Sequence, residues 1–261
     1  MTRRRTTRLL LPVLMAVAVF GGWEAAVAVF AIPKIVLPPP SAIVAALIEA
    51  LGSSDFHWNL LVTVWEIVAG FALGSVAGLL LGFAVALSPL VERLLYPYIV
   101  AFQTLPKVAV APIIVIWFGY GLSSKIIITA TIAFFPLLAN TVMGLRAAPA
   151  DQVEMLVSCT ATRWQVFRTV RLMAALPYIF VGLDVASVLS VIGAIVGEFV
   201  GAKAGLGFML MQKNFNFDMA GTFAILVVLS LIGVALHAAV QAVQRRVIFW
   251  MNTGADRPVS L

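Results

Sequence analysis

Residues 147–175 read AAPADQVEMLVSCTATRWQVFRTVRLMAA and form a mixed polar and apolar segment between two long hydrophobic runs. A short turn is enough to join two membrane spans, so a segment of this length indicates a folded element that protrudes and passes force to a partner. We expect two short helices here. The first covers Asp151–Cys159, and the second begins at Thr162, because Thr162 and Gln165 have the spacing of a capping box.

The composition is that of an integral membrane protein. The chain is 62% hydrophobic and 11% charged, and its mean hydropathy is +1.08, which is too apolar for a water-soluble domain. The net charge of +6 does not indicate nucleic-acid binding, because the arginines lie at the ends of apolar runs or in tails, as membrane topology requires. The lone Cys159 excludes an internal disulfide and leaves no thiol cluster for a metal.

Six hydrophobic runs are long enough to cross a bilayer, since each span needs about 20 apolar residues. They cover approximately residues 9–31, 58–88, 95–118, 125–145, 176–199 and 221–250. No internal repeat, low-complexity tract or linker separates them. We therefore expect one all-α transmembrane domain over residues 1–261, with the 147–175 segment between the fourth and fifth spans.

Basic residues predict the orientation of these spans. Arginines occupy the two tails and alternate connections, namely Arg3, Arg4, Arg5, Arg8, Arg93, Arg146, Arg163, Arg168, Arg171, Arg245, Arg246 and Arg257. The opposite connections hold only lysines: Lys34, Lys125, Lys203 and Lys213. This asymmetry predicts that both termini and the 147–175 segment are cytoplasmic. A cleaved signal peptide is the less favoured interpretation of the first run, which is too long for a signal core.

Four glycines at a spacing of four form one ridge on the second predicted span, at Gly70, Gly74, Gly78 and Gly82. Such a ridge lets another helix backbone approach closely. We favour helix packing, with a pore-lining role as the alternative.

Ionisable residues within the runs need a partner or water, because each costs a few kcal/mol at the bilayer centre. For Glu24 and His237 we expect satisfied residues near an interface or a neighbouring helix. The candidates for the translocation path are Glu66, Lys107, Asp184 and Glu198, with structural charge pairing as the alternative. Pro106 and Pro112 should interrupt the span around Lys107 and free carbonyls to line a cavity. Lys107 then either binds an anionic or polar solute or neutralises Asp184 or Glu66.

Several motifs carry a resemblance that extends over nearly the whole chain. They are Leu37-Pro38-Pro39-Pro40-Ser41, Thr104-Leu105-Pro106-Lys107-Val108-Ala109, Trp117-Phe118-Gly119-Tyr120-Gly121, Phe134-Phe135-Pro136, Ala175-Leu176-Pro177-Tyr178 and Gly197-Glu198-Phe199-Val200-Gly201-Ala202. In this order and spacing they resemble the membrane-spanning permease subunit of a bacterial ABC importer, a binding-protein-dependent inner membrane component. The branch it resembles handles nitrate, sulfonates, taurine and pyrimidine-type vitamin precursors.

The hallmark of that family is a cytoplasmic loop with the pattern Glu-Ala-Ala, three residues, Gly, nine residues, Ile-x-Leu-Pro. Here Glu154 occupies the Glu position, and Val170 and Leu172 fall on the Ile and Leu positions. Met155 and Leu156 replace the alanines, Thr160 replaces the Gly, and Met173 replaces the Pro. The turn at Thr160 therefore lacks the freedom that glycine has at positive φ.

The resemblance implies that a helix around Thr160–Arg168 docks on a cytoplasmic ATPase. The residues it assigns to coupling are Glu154, Thr160, Arg163, Trp164 and Arg168. It also implies an ATPase dimer, a second permease copy of the same or another type, and a binding protein that delivers solute at residues 32–57 and 200–220. The chain has no Gly-x-x-x-x-Gly-Lys-Ser/Thr loop, so we expect no enzymatic activity, with ATP and magnesium bound by the ATPase.

Two other classes of protein fit the sequence less well. An ion-coupled secondary transporter would use Glu66, Asp184 and Glu198 as carriers, but it usually shows paired half-repeats, which are missing here. A membrane enzyme needs clustered catalytic or metal-binding residues, and only His57, His237 and Cys159 are available. The sequence leaves open whether the solute is an oxyanion, a sulfonate or a heterocyclic vitamin precursor.

Overall fold

The computed structural model describes residues 3–250, except for the side chains of residues 3–12 and of Tyr96. Arg257 lies outside the described residues, as do the side chains of Arg3, Arg4, Arg5 and Arg8. Every regular element between residues 3 and 250 is a helix. The helices are α1 (Arg3–Val29), α2 (Pro40–Leu51), α3 (Ser54–Leu87), α4 (Pro89–Thr104), α5 (Lys107–Phe118), α6 (Leu122–Arg146), α7 (Ala150–Ser158), α8 (Arg163–Val166), α9 (Leu172–Phe199), α10 (Leu206–Phe215) and α11 (Met219–Val247), with a π-helical turn at Phe167–Arg171.

Four of the described helical segments are long and apolar enough to cross a membrane: Ser54–Leu87, Leu122–Arg146, Arg163–Phe199 and Met219–Val247. A fifth span results if the bent pair Pro97–Thr104 and Lys107–Phe118 counts as one. The apolar part of α1 within the described residues, Val13–Val29, is shorter. The all-α membrane fold is thus confirmed, while the number of six spans stays a prediction.

The third predicted span is not one helix. Its two halves, Pro97–Thr104 and Lys107–Phe118, meet at an angle of 97°. Pro106 is the N-cap of α5, a position where the missing amide hydrogen costs no helical bond. Pro112 lies inside α5 and does not end it, so the prediction that both prolines interrupt the span is wrong for Pro112.

The fifth span begins earlier than predicted. Arg163–Phe199 is one continuous helical segment, in which α8 and α9 are joined through the π-helical turn. The second short helix of the 147–175 segment is therefore the start of the span itself, and residues 163–175 are not a separate loop. The reason is local, because the capping box at Thr162 starts a helix, and Pro177 lies inside α9 without ending it.

The described chain divides into two compact units, so the single domain stays a prediction. Unit 1 comprises the chain up to Thr63 together with Lys203–Ser230. Within it, Glu24 of α1 accepts hydrogen bonds from Ser41 N at 3.0 Å and Ser41 Oγ at 2.7 Å. Buried Asn59 accepts from Gly205 N at 2.6 Å, and buried Thr63 accepts from Leu206 N at 2.7 Å. These bonds satisfy the free amides at the start of α10.

Unit 2 comprises Val64–Ala202 and the chain from Leu231, and α6 lies at its centre. The glycine ridge of α3 packs on one side of α6. A Cβ at Gly74 would lie 2.5 Å from the Ala130 carbonyl oxygen, and one at Gly78 would lie 2.7 Å from the Phe134 carbonyl oxygen. Gly70 and Gly82 face Thr129 and Thr141 in the same way. On the other side, Gly193 of α9 lies against the backbone of Thr129. The ridge therefore serves close helix packing.

Candidate functional site

Helix α7 is a short exposed helix whose two ends are set by local sequence. It covers Ala150–Ser158, which confirms the predicted helix to within one residue at each end. Its C-terminus is a Schellman motif, since Ala161 N donates to Leu156 O at 3.0 Å and Thr160 N donates to Val157 O at 2.9 Å. These bonds satisfy carbonyls that would otherwise be free at the helix end.

Thr160 occupies the left-handed position of this motif, with φ = 61°. Glycine is the usual residue at that position because it has no Cβ. A β-branched residue adopts this conformation only at a cost of about 1–2 kcal/mol. The turn that the family makes with glycine is thus made here by a strained threonine.

The capping box predicted at Thr162 is confirmed. Gln165 N donates to Thr162 Oγ1 at 3.3 Å, and Thr162 N donates to Gln165 Oε1 at 2.7 Å. Together with the Schellman motif it defines both sides of the sharp turn at Cys159–Thr162 between α7 and α8. We call residues 150–168 the coupling segment.

The candidate coupling residues are displayed on the surface of this segment. Glu154, Thr160, Arg163 and Arg168 are exposed, and Trp164 is 67% exposed although it stacks on Phe167 at 5.5 Å between ring centroids. A cleft of about 510 Å³ opens beside them, lined by Leu87, Val153, Val157, Ala161, Arg163, Trp164, Val166, Phe167 and Arg171. An apolar cleft with two arginines at its edge suits a protein partner that presents an apolar side chain and a carboxylate.

Two of the candidate path residues meet in the interior of unit 2. Glu66 of α3 is 0% exposed and Glu198 of α9 is 1% exposed. The two side chains are neighbours, and Lys125 of α6 lies near both. Lys125 is itself buried, and its Nζ donates to the carbonyls of Tyr120 at 2.8 Å and Gly121 at 3.0 Å.

We call Glu66, Lys125 and Glu198 the buried cluster. It joins α3, α6 and α9 and has almost no contact with solvent. The sequence predicts that Lys125 lies in an outer connection. Its position at the start of an apolar run is a signal of burial, but a lysine at the membrane surface would occupy the same position.

Asp184 contacts His237, which is not among the path candidates predicted from the sequence. His237 Nδ1 of α11 lies 2.5 Å from Asp184 Oδ1 of α9. His237 Nε2 lies 3.0 Å from the side-chain nitrogen of Gln241. The prediction that Lys107 neutralises Asp184 or Glu66 is therefore wrong. Lys107 instead lies over the ring of Phe135, with Nζ 4.9 Å from the centroid, in a cation–π contact.

The described residues contain no group of three or more His, Cys, Asp or Glu side chains that could hold a metal ion. The polar side chains described above differ in their exposure. The buried cluster is enclosed, while the coupling segment and the Asp184–His237 pair are open to their surroundings.

Comparison with known proteins agrees with these observations. Residues 70–249 match the model of the family described as binding-protein-dependent transport system inner membrane component. The formylaminopyrimidine transport permease protein ThiX of Halalkalibacterium halodurans is 36% identical over 247 residues, which cover 95% of this chain and 98% of the relative. The riboflavin transport system permease protein RibX of Chloroflexus aurantiacus is 37% identical over 241 residues, which cover 92% and 89%.

A solved structure shares the fold. The chain is similar to an inward-facing structure of the MetNI methionine ABC transporter with a TM-score of 0.63 and 22% identity, over 75% of this chain and 99% of that chain. At this identity the likeness concerns the fold alone. The matched family model and the two full-length relatives decide the function: the chain belongs to the binding-protein-dependent transport system inner membrane components and is a multi-pass permease subunit of an ABC importer.

Proposed function

We propose that this permease forms the translocation path for a small nitrogen heterocycle, such as a formylated aminopyrimidine or a flavin, together with a second permease copy. The relatives at 36% and 37% identity are named for formylaminopyrimidine and riboflavin, and both solutes are nitrogen heterocycles. A binding protein delivers the solute to the outer connections, within residues 32–57 and 200–220. A separate ATPase dimer binds ATP and magnesium, because the chain has no phosphate-binding loop of its own.

The observation that supports coupling to an ATPase is the coupling segment, while the two relatives support the class of solute. A nine-residue helix with a satisfied C-terminus, followed by a capped helix that continues into a span, is a rigid link between a surface and the membrane. Force applied to α7 is transmitted to Arg163–Phe199 without a flexible loop in between. Glu154, Arg163 and Trp164 present a carboxylate, a guanidinium and an indole to the ATPase, and Arg168 extends the same surface.

No specific observation favours the ion-coupled alternative. It needs Glu66, Asp184 and Glu198 to exchange ions with the path. Glu66 and Glu198 are enclosed with Lys125 in the buried cluster, so neither is exposed to a path in this conformation.

The docking role is tested by charge reversal at Glu154. We expect Glu154→Arg to abolish uptake in cells while the amount of permease in the membrane stays unchanged, because an exposed residue contributes little to folding. The matched control is Glu92→Arg, which reverses a half-buried carboxylate outside the coupling segment, paired with Arg146 at 2.6 Å, and should retain uptake. Normal uptake by Glu154→Arg would contradict the docking role.

The orientation is tested with the only cysteine of the chain. Cys159 is exposed and lies at the turn that follows α7. A membrane-impermeant maleimide should label it in permeabilised cells and leave it unlabelled in intact cells. Labelling from outside would refute the cytoplasmic placement of the coupling segment and of both termini.

A further inference from the structure

Asp184 and His237 lie within the apolar parts of two membrane-spanning helices. Asp184 is about midway between Arg171 and Phe199 along the fifth span, and His237 precedes Arg245 by about two helical turns. About a third of each side chain is exposed, 33% for Asp184 and 37% for His237. The pair is therefore neither enclosed by the protein nor close to the membrane surface.

The surroundings of the pair are apolar. On the same helix, Val181, Val185, Val188 and Ile192 are all exposed by 43% or more. These four residues and Asp184 form one stripe along α9, in which Asp184 is the polar member. A carboxylate that faces lipid at this depth is strongly disfavoured, and such residues in membrane proteins face water-filled cavities or other protein.

Both ring nitrogens of His237 have a polar neighbour. The Gln241 side-chain nitrogen donates to His237 Nε2 at 3.0 Å, and His237 Nδ1 lies 2.5 Å from Asp184 Oδ1. Asp184 Oδ1 and His237 Nδ1 are buried against each other without an aligned hydrogen bond, which leaves Oδ2 as the acceptor available to a solute.

We propose that Asp184, held by His237 and Gln241, faces the translocation path and accepts hydrogen bonds from the N–H edge of the passing solute. This inference rests on the proposed function. An amino group or ring N–H of a pyrimidine or flavin is a matching donor, whereas a sulfonate is repelled by the carboxylate. The pair thus selects nitrogen heterocycles against the anionic solutes of related importers.

Transport by the complete complex tests the recognition. Proteoliposomes that contain the permease with its ATPase are supplied with the binding protein and with labelled formylaminopyrimidine, riboflavin or taurine. Asp184→Asn should lower the initial uptake of the heterocycle that the wild type carries by at least about tenfold, since the neutral amide oxygen of asparagine is a weaker acceptor than a carboxylate oxygen. The control Glu92→Gln alters a partly exposed ion pair and should stay within about twofold.

Thiol labelling tests the exposure of this stripe independently of the solute. In a Cys159→Ser background, Val185→Cys should react with a charged, membrane-impermeant thiol reagent in permeabilised cells, because thiolates form in water and not in hydrocarbon. Val191→Cys, which replaces a residue that is 8% exposed, is the unreactive control.

The outcomes separate the two proposals. Reactive Val185→Cys together with impaired uptake by Asp184→Asn supports the inference. Unreactive Val185→Cys, or wild-type uptake by Asp184→Asn, overturns it even if the wild type carries a heterocycle. Disulfide-linked dimers of Val185→Cys upon oxidation would assign the stripe to a second copy and also overturn it. A wild-type complex that carries only taurine refutes the proposed solute class itself.

Discussion

The buried cluster and the coupling segment use polar side chains in opposite ways. In the buried cluster, two carboxyl groups and one ammonium are enclosed between α3, α6 and α9, and their partners belong to the same chain. In the coupling segment, a glutamate, two arginines and a tryptophan are exposed beside a cleft of about 510 Å³. Within unit 2, the polar side chains of the buried cluster thus lie between helices of the same chain. Those of the coupling segment remain available to a partner.

This difference predicts which measurement each substitution changes. Removing the ammonium group from the buried cluster leaves an uncompensated charge in the interior and should affect folding. A change in the coupling segment removes a surface contact and should affect the complex while the permease remains folded. Four substitutions test this difference between enclosed and exposed positions.

The largest effect is expected for Lys125→Met. Removing the ammonium leaves two buried carboxyl groups without their cation, which destabilises the folded permease by about 3–5 kcal/mol. The expected result is loss of folded protein, measured by size-exclusion chromatography of detergent-solubilised membranes.

The control for Lys125→Met is Glu66→Gln, which keeps the volume and leaves one carboxyl beside one ammonium. It should remain folded with a melting temperature close to that of the wild type. A stable Lys125→Met variant would show that the buried cluster does not support the fold.

Trp164→Ala should weaken binding of the ATPase by about 2–3 kcal/mol, or roughly 30–150-fold, because a large exposed aromatic residue is a typical binding anchor. The melting temperature of the isolated permease should not change. Affinity is measured by titration of the purified ATPase against permease in nanodiscs. Unchanged affinity would mean that the cleft beside Trp164 is not the docking site.

Gly74→Ala should destabilise the permease by about 1–2 kcal/mol, because its Cβ would lie 2.5 Å from a backbone carbonyl oxygen of α6. Gly233→Ala is the matched control, since its nearest neighbour is a Val191 side-chain atom at 3.7 Å. In that control the higher helix propensity of alanine should raise stability slightly. Equal melting temperatures for the two variants would contradict the close packing of α3 on α6.

The smallest effect is expected for Thr160→Gly, which relieves the left-handed strain at φ = 61°. It should stabilise the turn by about 1 kcal/mol and keep uptake. Cys159→Gly, at φ = −84°, is the control and should lower stability because it adds freedom to the unfolded chain. Lower stability of Thr160→Gly, measured by hydrogen exchange of α7, would mean that the threonine side chain has a role in the turn.

Local features of the coupling segment were predictable because their causes are local. The capping box and the end of α7 depend on residues three to six positions apart, and both were read from the sequence to within one residue. The sequence does not predict the continuation of α8 into α9, because the polar composition of residues 147–175 indicates a loop, whereas Arg163–Phe199 is one helical segment. The 97° bend before α5 likewise depends on packing that no local pattern specifies.

By itself, the sequence determined the membrane class, the approximate helix borders, the glycine ridge and the family, since hydropathy, spacing and motif order are properties of the chain alone. Only the tertiary structure decided the partners of the charged residues: Lys125 with Glu66 and Glu198, Asp184 with His237, and Lys107 with Phe135. The physical reason is that a buried charge takes whichever partner the helix packing brings within a few ångströms. That packing is set by contacts between residues far apart in the chain.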